Sequence, residues 1–213
     1  MNSKILIIFA SLFFFLSCEP IETTATKTPP TGVAIEPLDT MVFAPFSDLT
    51  IQDFDDTGVE EFFVAQKIRY LNIHCTASTG NVTGEWLLDF FKNERGWRKP
   101  GYNKHVQMSG KIDTLLPYDN DGIVQWSELS YGVKGQNRHS INVSYAGGVV
   151  YDKENKKLVA KDTRTVAQKI ALAYIVSEVK CKFPWVEVRG HRDHEGVNKA
   201  CPSFEIKGEY DFQ

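Results

Sequence analysis

The segment Lys67 to Thr76 (KIRYLNIHCT) limits the possible fold more than any other part of the chain. Read with a period of two, it puts Ile68, Tyr70, Asn72, His74 and Thr76 on one face and Arg69, Leu71, Ile73 and Cys75 on the other. Both faces carry apolar groups, which predicts a strand inside a sheet that is covered on both sides. Around it, Thr83 is placed to cap a helix with apolar positions Trp86, Leu87, Phe90 and Phe91, ended by Gly96. Two strands are expected about the Ser109-Gly110 turn, from Asn103 to Leu116, and another at Ser140 to Tyr145. The longest helix is expected from Thr163 to Lys182, burying Val166, Ile170, Ala173, Tyr174 and Val176. A short strand, Val186 to Val188, should then open into a loop from Gly190 to Phe204. Strands and helices mixed in this order predict an α/β fold: one domain with a central mixed sheet flanked by helices.

At 213 residues, 42% hydrophobic and 24% charged, the chain can build one ordinary soluble core. Its net charge of −3 and the lack of a basic stripe argue against a nucleic-acid partner. The N-terminus departs from this composition. Lys4 precedes an apolar run, Ile5 to Leu16, too short to span a bilayer but suited to a signal-peptide core. The run ends in Phe15-Leu16-Ser17-Cys18, which resembles a bacterial lipobox and implies cleavage before Cys18 and acylation of that residue. Residues 1–17 therefore read as a lipoprotein signal peptide. Residues 18–63 read as a lipidated cysteine, a Thr- and Pro-rich tether and an irregular acidic lead-in. Residues 64–213 read as the functional domain, held as a monomer on a bacterial membrane on the exported side.

Of the remaining cysteines, Cys75 falls on the strand face opposite His74 and reads as a core thiol. Cys181 is either free or paired with Cys75. His74 stands where its strand runs out into a loop, and His191 follows a second strand. Cys201 lies on the loop after it. Two imidazoles and a thiolate suit tetrahedral zinc, and three protein ligands leave a fourth position open, the catalytic arrangement.

Four blocks carry a family resemblance: IHCTAS at 73–78, GYNKHVQMSGKI at 101–112, HSINVSYAGG at 139–148 and GHRDHEGVNKACPSF at 190–204. In this order they resemble the zinc-dependent N-acetylmuramoyl-L-alanine amidases (amidase type 2), which include amidase-type phage lysozymes and peptidoglycan recognition proteins. The resemblance implies that fold, with a zinc cleft at one sheet edge and one Zn2+ per domain. It also implies hydrolysis of the amide between N-acetylmuramic acid and L-alanine in peptidoglycan or muropeptides, for wall remodelling or recycling. Carried over by position, His74, His191 and Cys201 match the metal ligands, Lys199 the catalytic lysine and Tyr102 a tyrosine lining the site. A peptidoglycan-binding module without catalysis is the alternative. Asp193 is expected to support the ligand His191 or brace its loop, His105 to be structural or solvent-facing with a substrate contact as the alternative, and His139 and His194 to reach no further than the cleft rim. One departure stands out: phage members carry a histidine near the cleft where this chain has Gly132.

Overall fold

The computed structural model describes residues 63–210. The signal peptide, Cys18 and the tether read from the sequence lie outside the described residues. The chain divides into two units, and the second, Asp55–Gln213, holds everything described below.

Its centre is a five-stranded sheet. The strands are β2 (Tyr70–Cys75), β3 (Lys104–Val106), β4 (Ile112–Thr114), β6 (Ser140–Tyr145) and β9 (Glu187–Gly190), in the order β4-β3-β6-β2-β9. β2 lies between β6 and β9 and is parallel to both, while β3 and β4 form the antiparallel hairpin around Gly110. The sheet is therefore mixed, and β2 is an interior strand, as its sequence demands. Two short pairs stand apart, β1 (Gln66–Lys67) with β5 (Ile123–Val124) and β7 (Val149–Asp152) with β8 (Lys157–Ala160).

The two faces of the sheet differ. Leu71, Ile73, Ile141, Val143 and Tyr145 share a buried apolar cluster with Leu172, Ile175, Val176 and Val179 of helix α2 (Val166–Lys182). The opposite face is buried but polar: Asn72, His74, His105, Asn142 and Ser144 are each at most 1% exposed. Register pairs them across strands, Asn72 with Asn142, and Ser144 with both His74 and His105. This layer lies under the candidate site, and its hydrogen bonds offset the cost of burying it.

Helix α2 corrects the expected buried stripe. Val166, Ile170 and Tyr174 are 76%, 66% and 53% exposed, Ala173 is half-buried, and of the five expected residues only Val176 is buried. Polar residues (Gln168, Lys169, Ser177, Glu178, Lys180 and Lys182) are scattered round the helix instead of lying on one face, so hydropathy leaves its rotation undetermined. A polar residue sets it: Gln168 is fully buried and donates from Nε2 to the carbonyls of Val106 and Ala146. Thr165 caps the helix and exchanges hydrogen bonds with Gln168 in a capping box.

The other helix begins as expected, with Thr83 Oγ1 accepting from the Trp86 N–H. After α1 (Gly84–Asp89) it widens into a π-turn, Phe90–Glu94, before Gly96 turns the chain at φ 63°. Leu87 and Phe91 point inward, whereas Trp86 is 53% exposed and stacks on Phe90. The last strand begins one residue later than expected and runs on to Gly190.

Candidate metal centre

Parallel pairing of β2 and β9 sets Ile73 opposite Gly190, so the next residue of each strand, His74 and His191, emerges at the same end of the sheet. Their Nδ1 atoms face each other at 3.1 Å. Cys201 Sγ lies 3.8 Å from His74 Nδ1, and the three donor atoms are all within 4.8 Å of one another. The loop bearing Cys201 is fixed by Tyr145, whose hydroxyl donates to the Pro202 carbonyl at 2.6 Å, and by the Arg192 N–H on the Cys201 carbonyl. Asp193 accepts the Gly190 N–H at 2.7 Å and braces the turn that presents His191.

This donor set fits zinc. With Zn–N of about 2.0–2.1 Å and Zn–S of about 2.3 Å, tetrahedral ligand atoms sit about 3.3–3.6 Å apart, and the two separations from His74 Nδ1, 3.1 and 3.8 Å, lie on either side of that range. Metal ligation also needs neutral imidazoles. Burial, then the neighbouring His191, lower the pKa of His74 from 6.5 to about 3. Burial, then the charge of Lys199, lower that of His191 to about 4. Cys201 Sγ accepts the Cys75 N–H at 3.2 Å, but contact with the Cys75 thiol, then burial, hold the Cys201 pKa well above the ordinary thiol range, so its anion would form with metal binding.

Cys75 belongs to the apolar cluster as expected, yet its thiol also reaches the cleft, where it is hydrogen-bonded to Cys201 and lies 3.7 Å from Ser203 Oγ. This contact makes the pair give up one proton readily and hold the second. Cys75 and Cys201 are both free thiols, so the pairing of Cys75 with Cys181 that the sequence left open is not made.

His191 and Cys201 line a cleft of about 640 Å³, and His74 is buried directly beside them. One wall is aromatic, built from Trp86, Phe90, Phe91, Trp97 and Tyr131, and the lining also includes Arg95 and Lys199. Tyr102 lines the same cleft with its ring centroid 5.1 Å from that of His74. Burial, then Cys201 beside it, hold the Tyr102 phenol well above its ordinary pKa, so near neutrality it is an O–H donor. Lys199 is exposed at the cleft edge, and its charge is felt at both histidines.

Three histidines stand elsewhere. His105 is buried between Ser144 Oγ at 2.8 Å and the Val82 carbonyl at 2.9 Å, a structural role. His194 and His139 do not line the cleft, contrary to the rim positions allowed for them. His194 instead turns inward, 5% exposed, with Nε2 2.7 Å from Asn72 Oδ1. The sequence reading missed Asn142, whose Oδ1 is 3.0 Å from His74 Nε2, because a polar residue on a strand reads as solvent-facing.

No family model matches the chain. Curated relatives do. An endolysin of Klebsiella phage KP32 is 26% identical over 148 residues, 69% of this chain and 88% of the relative. An endolysin of Escherichia phage T7 is 29% identical over 139 residues, 63% of this chain and 80% of the relative. Among solved structures, the Ph2119 endolysin from the Thermus scotoductus MAT2119 bacteriophage aligns at 20% identity and TM-score 0.49, covering 64% of this chain and 78% of that one. N-acetylmuramoyl-L-alanine amidase LysC from Clostridium intestinale URNW aligns at 18% identity and TM-score 0.49, covering 64% and 76%. The four sequence blocks resemble the amidase type 2 family, and the curated relatives to which the chain is similar are phage endolysins.

Proposed function

We propose that this chain is a peptidoglycan amidase, cutting the bond between the lactyl group of N-acetylmuramic acid and L-alanine with one zinc ion held by His74, His191 and Cys201. The observation that carries the reading is the convergence of three donor atoms, within 4.8 Å of one another, two of them on residues that line an aromatic-walled cleft. Support for the substrate comes from relatives named as endolysins.

When bound, zinc supplies a Lewis acid for the amide carbonyl and lowers the pKa of water. The protein supplies the rest. The neutral imidazoles of His74 and His191 and the thiolate of Cys201 would hold the ion and leave the site a net positive charge. Tyr102, kept protonated by its burial, offers a hydrogen bond to negative charge developing on the carbonyl oxygen. Lys199, an exposed cation lining the cleft, stabilises the same charge or carries a proton to the leaving amine. The aromatic wall gives sugar and peptide an apolar surface and screens the reacting amide from water.

Residues 64–213 form the catalytic domain in this reading, acting as a monomer. Cys18 attaches it through a lipid to a bacterial membrane, facing the periplasm or the cell surface. The lipobox-like Phe15-Leu16-Ser17-Cys18 after an apolar run supports the anchor. No helix among the described residues is long and apolar enough to cross a membrane. Incubation of the purified protein with peptidoglycan tests the function. Release of soluble stem peptides is expected, whereas co-sedimentation without release would make it a binding module.

A further inference from the structure

On the buried polar face of the sheet, a chain of hydrogen bonds has its polarity set by the backbone. The Asn142 N–H donates to Asn103 Oδ1 at 2.9 Å, which fixes that atom as an oxygen. Asn103 Nδ2 accordingly donates to the Glu128 carbonyl at 2.8 Å. Ser130 Oγ lies 2.7 Å from Asn103 Oδ1, and only the serine has a proton to place between them. With that proton used, Ser130 Oγ accepts from the Asn142 carboxamide at 2.9 Å, so the atom facing it is Nδ2. The other end of the carboxamide, Oδ1, therefore lies 3.0 Å from His74 Nε2 and also accepts from Asn72 Nδ2 at 3.1 Å. An oxygen at that place requires Nε2 to carry the ring hydrogen. The lone pair is left on Nδ1, the atom that faces His191 and Cys201.

The carboxamide occupies space that only glycine leaves. A Cβ built on Gly132 would fall 2.1 Å from Asn142 Oδ1 and 2.2 Å from its Cγ. Gly132 is the departure from the phage pattern noted in the sequence, and here it has a physical reason.

We propose that Asn142 is a positioning residue that locks His74 in the Nε2–H tautomer ready to bind metal, and that Gly132 is the residue that admits it. The proposal rests on the zinc reading above for its purpose, though not for its geometry. Partners of this kind orient metal-bound imidazoles, and their loss typically costs about 10–100-fold in metal affinity.

Two measurements on the full chain test it. Ring-nitrogen NMR of the zinc-free protein should show His74 protonated on Nε2, and an Nδ1–H tautomer in the wild type would overturn the proposal. Competition titration against a zinc chelator should show Asn142→Leu, which keeps the branched outline and loses the acceptor, about 10–100-fold weaker than wild type. Asn142→Asp keeps an acceptor, toward which Ser130 can also turn its hydroxyl, and should recover most of that loss. Equal losses in both variants would mean that Asn142 serves packing alone. Gly132→Ala should weaken zinc binding as Asn142→Leu does, and the double variant should be no worse than the poorer single variant. Additive losses would sink the role given to Gly132. Wild-type protein that binds no zinc would instead remove the zinc reading, and the tautomer spectrum would still decide the geometry.

Discussion

His74 and His191 are 117 positions apart in the chain, yet their Nδ1 atoms face each other at 3.1 Å, with a cysteine sulfur 3.8 Å from one of them. Buried ring nitrogens aimed at one another and at a thiol gain little as mutual hydrogen-bond partners. They are well placed as donors to a shared cation.

The two sulfurs at this place should behave differently. Cys201→Ser is expected to weaken zinc binding by more than the roughly 10–100-fold typical of an outer partner, and to abolish turnover. Cys75→Ser should stay within a few-fold of wild type in both, because its sulfur is outside the group of three donors. Chelator competition and a turnover assay on the two variants check this. Comparable zinc loss in both would make Cys75 a ligand as well.

Acid should destabilise the zinc-free protein well above the carboxylate range. His74 and His191 titrate near 3 and 4 when folded and near 6.5 when unfolded, so between those limits the unfolded chain binds more protons. Stability is therefore full above about pH 6.5 and falls as pH drops, by up to about 1.4 kcal/mol per pH unit for each such group. Carboxylates held low, such as Asp162 beside Arg164, lose their contribution only below their ordinary range. Denaturant melts at pH 7, 6 and 5 isolate the histidines, and a flat profile there would contradict their burial as neutral groups.

Lys199 and the zinc ligands should separate kinetically. Lys199→Ala is expected to lower kcat by about 10²–10³-fold, the scale of one lost oxyanion partner, while zinc affinity holds. Steady-state kinetics on zinc-loaded protein read this directly. A change confined to KM would make Lys199 a substrate-binding group only.

The rotation of α2 is testable by stability alone. Gln168→Ala removes the donor to two buried carbonyls and leaves a hole, so a loss of about 2–4 kcal/mol is expected. Ile170→Ala, at a position 66% exposed, should change stability by less than about 0.5 kcal/mol. Urea denaturation compares them, and the opposite ranking would restore the stripe that hydropathy suggested.

These contrasts show what could be read in the chain. β2 and β6 were legible because a period of two survives burial, and the end of β2 indicated where His74 would emerge. His191, Lys199 and Cys201 were legible from the block at 190–204, and the structure places all three with Tyr102 at one cleft. What stayed hidden was polar and buried. Gln168 fixes a helix that hydropathy left free to rotate, His194 turns inward because Asn72 is there to receive it, and Asn142 is polar yet wholly enclosed. Each depends on a partner distant in sequence, which no local pattern contains. The β7–β8 hairpin, mostly exposed or half-buried, carried no clear alternation and was not expected either.

The most direct test of the account is digestion of a defined N-acetylmuramoyl peptide by the zinc-loaded protein, with the products weighed by mass spectrometry. The account predicts an intact stem peptide with a free L-alanine amino group and an intact lactyl sugar, both lost on chelation and restored by zinc. Cleavage at another bond, or the same products from chelated protein, would contradict it.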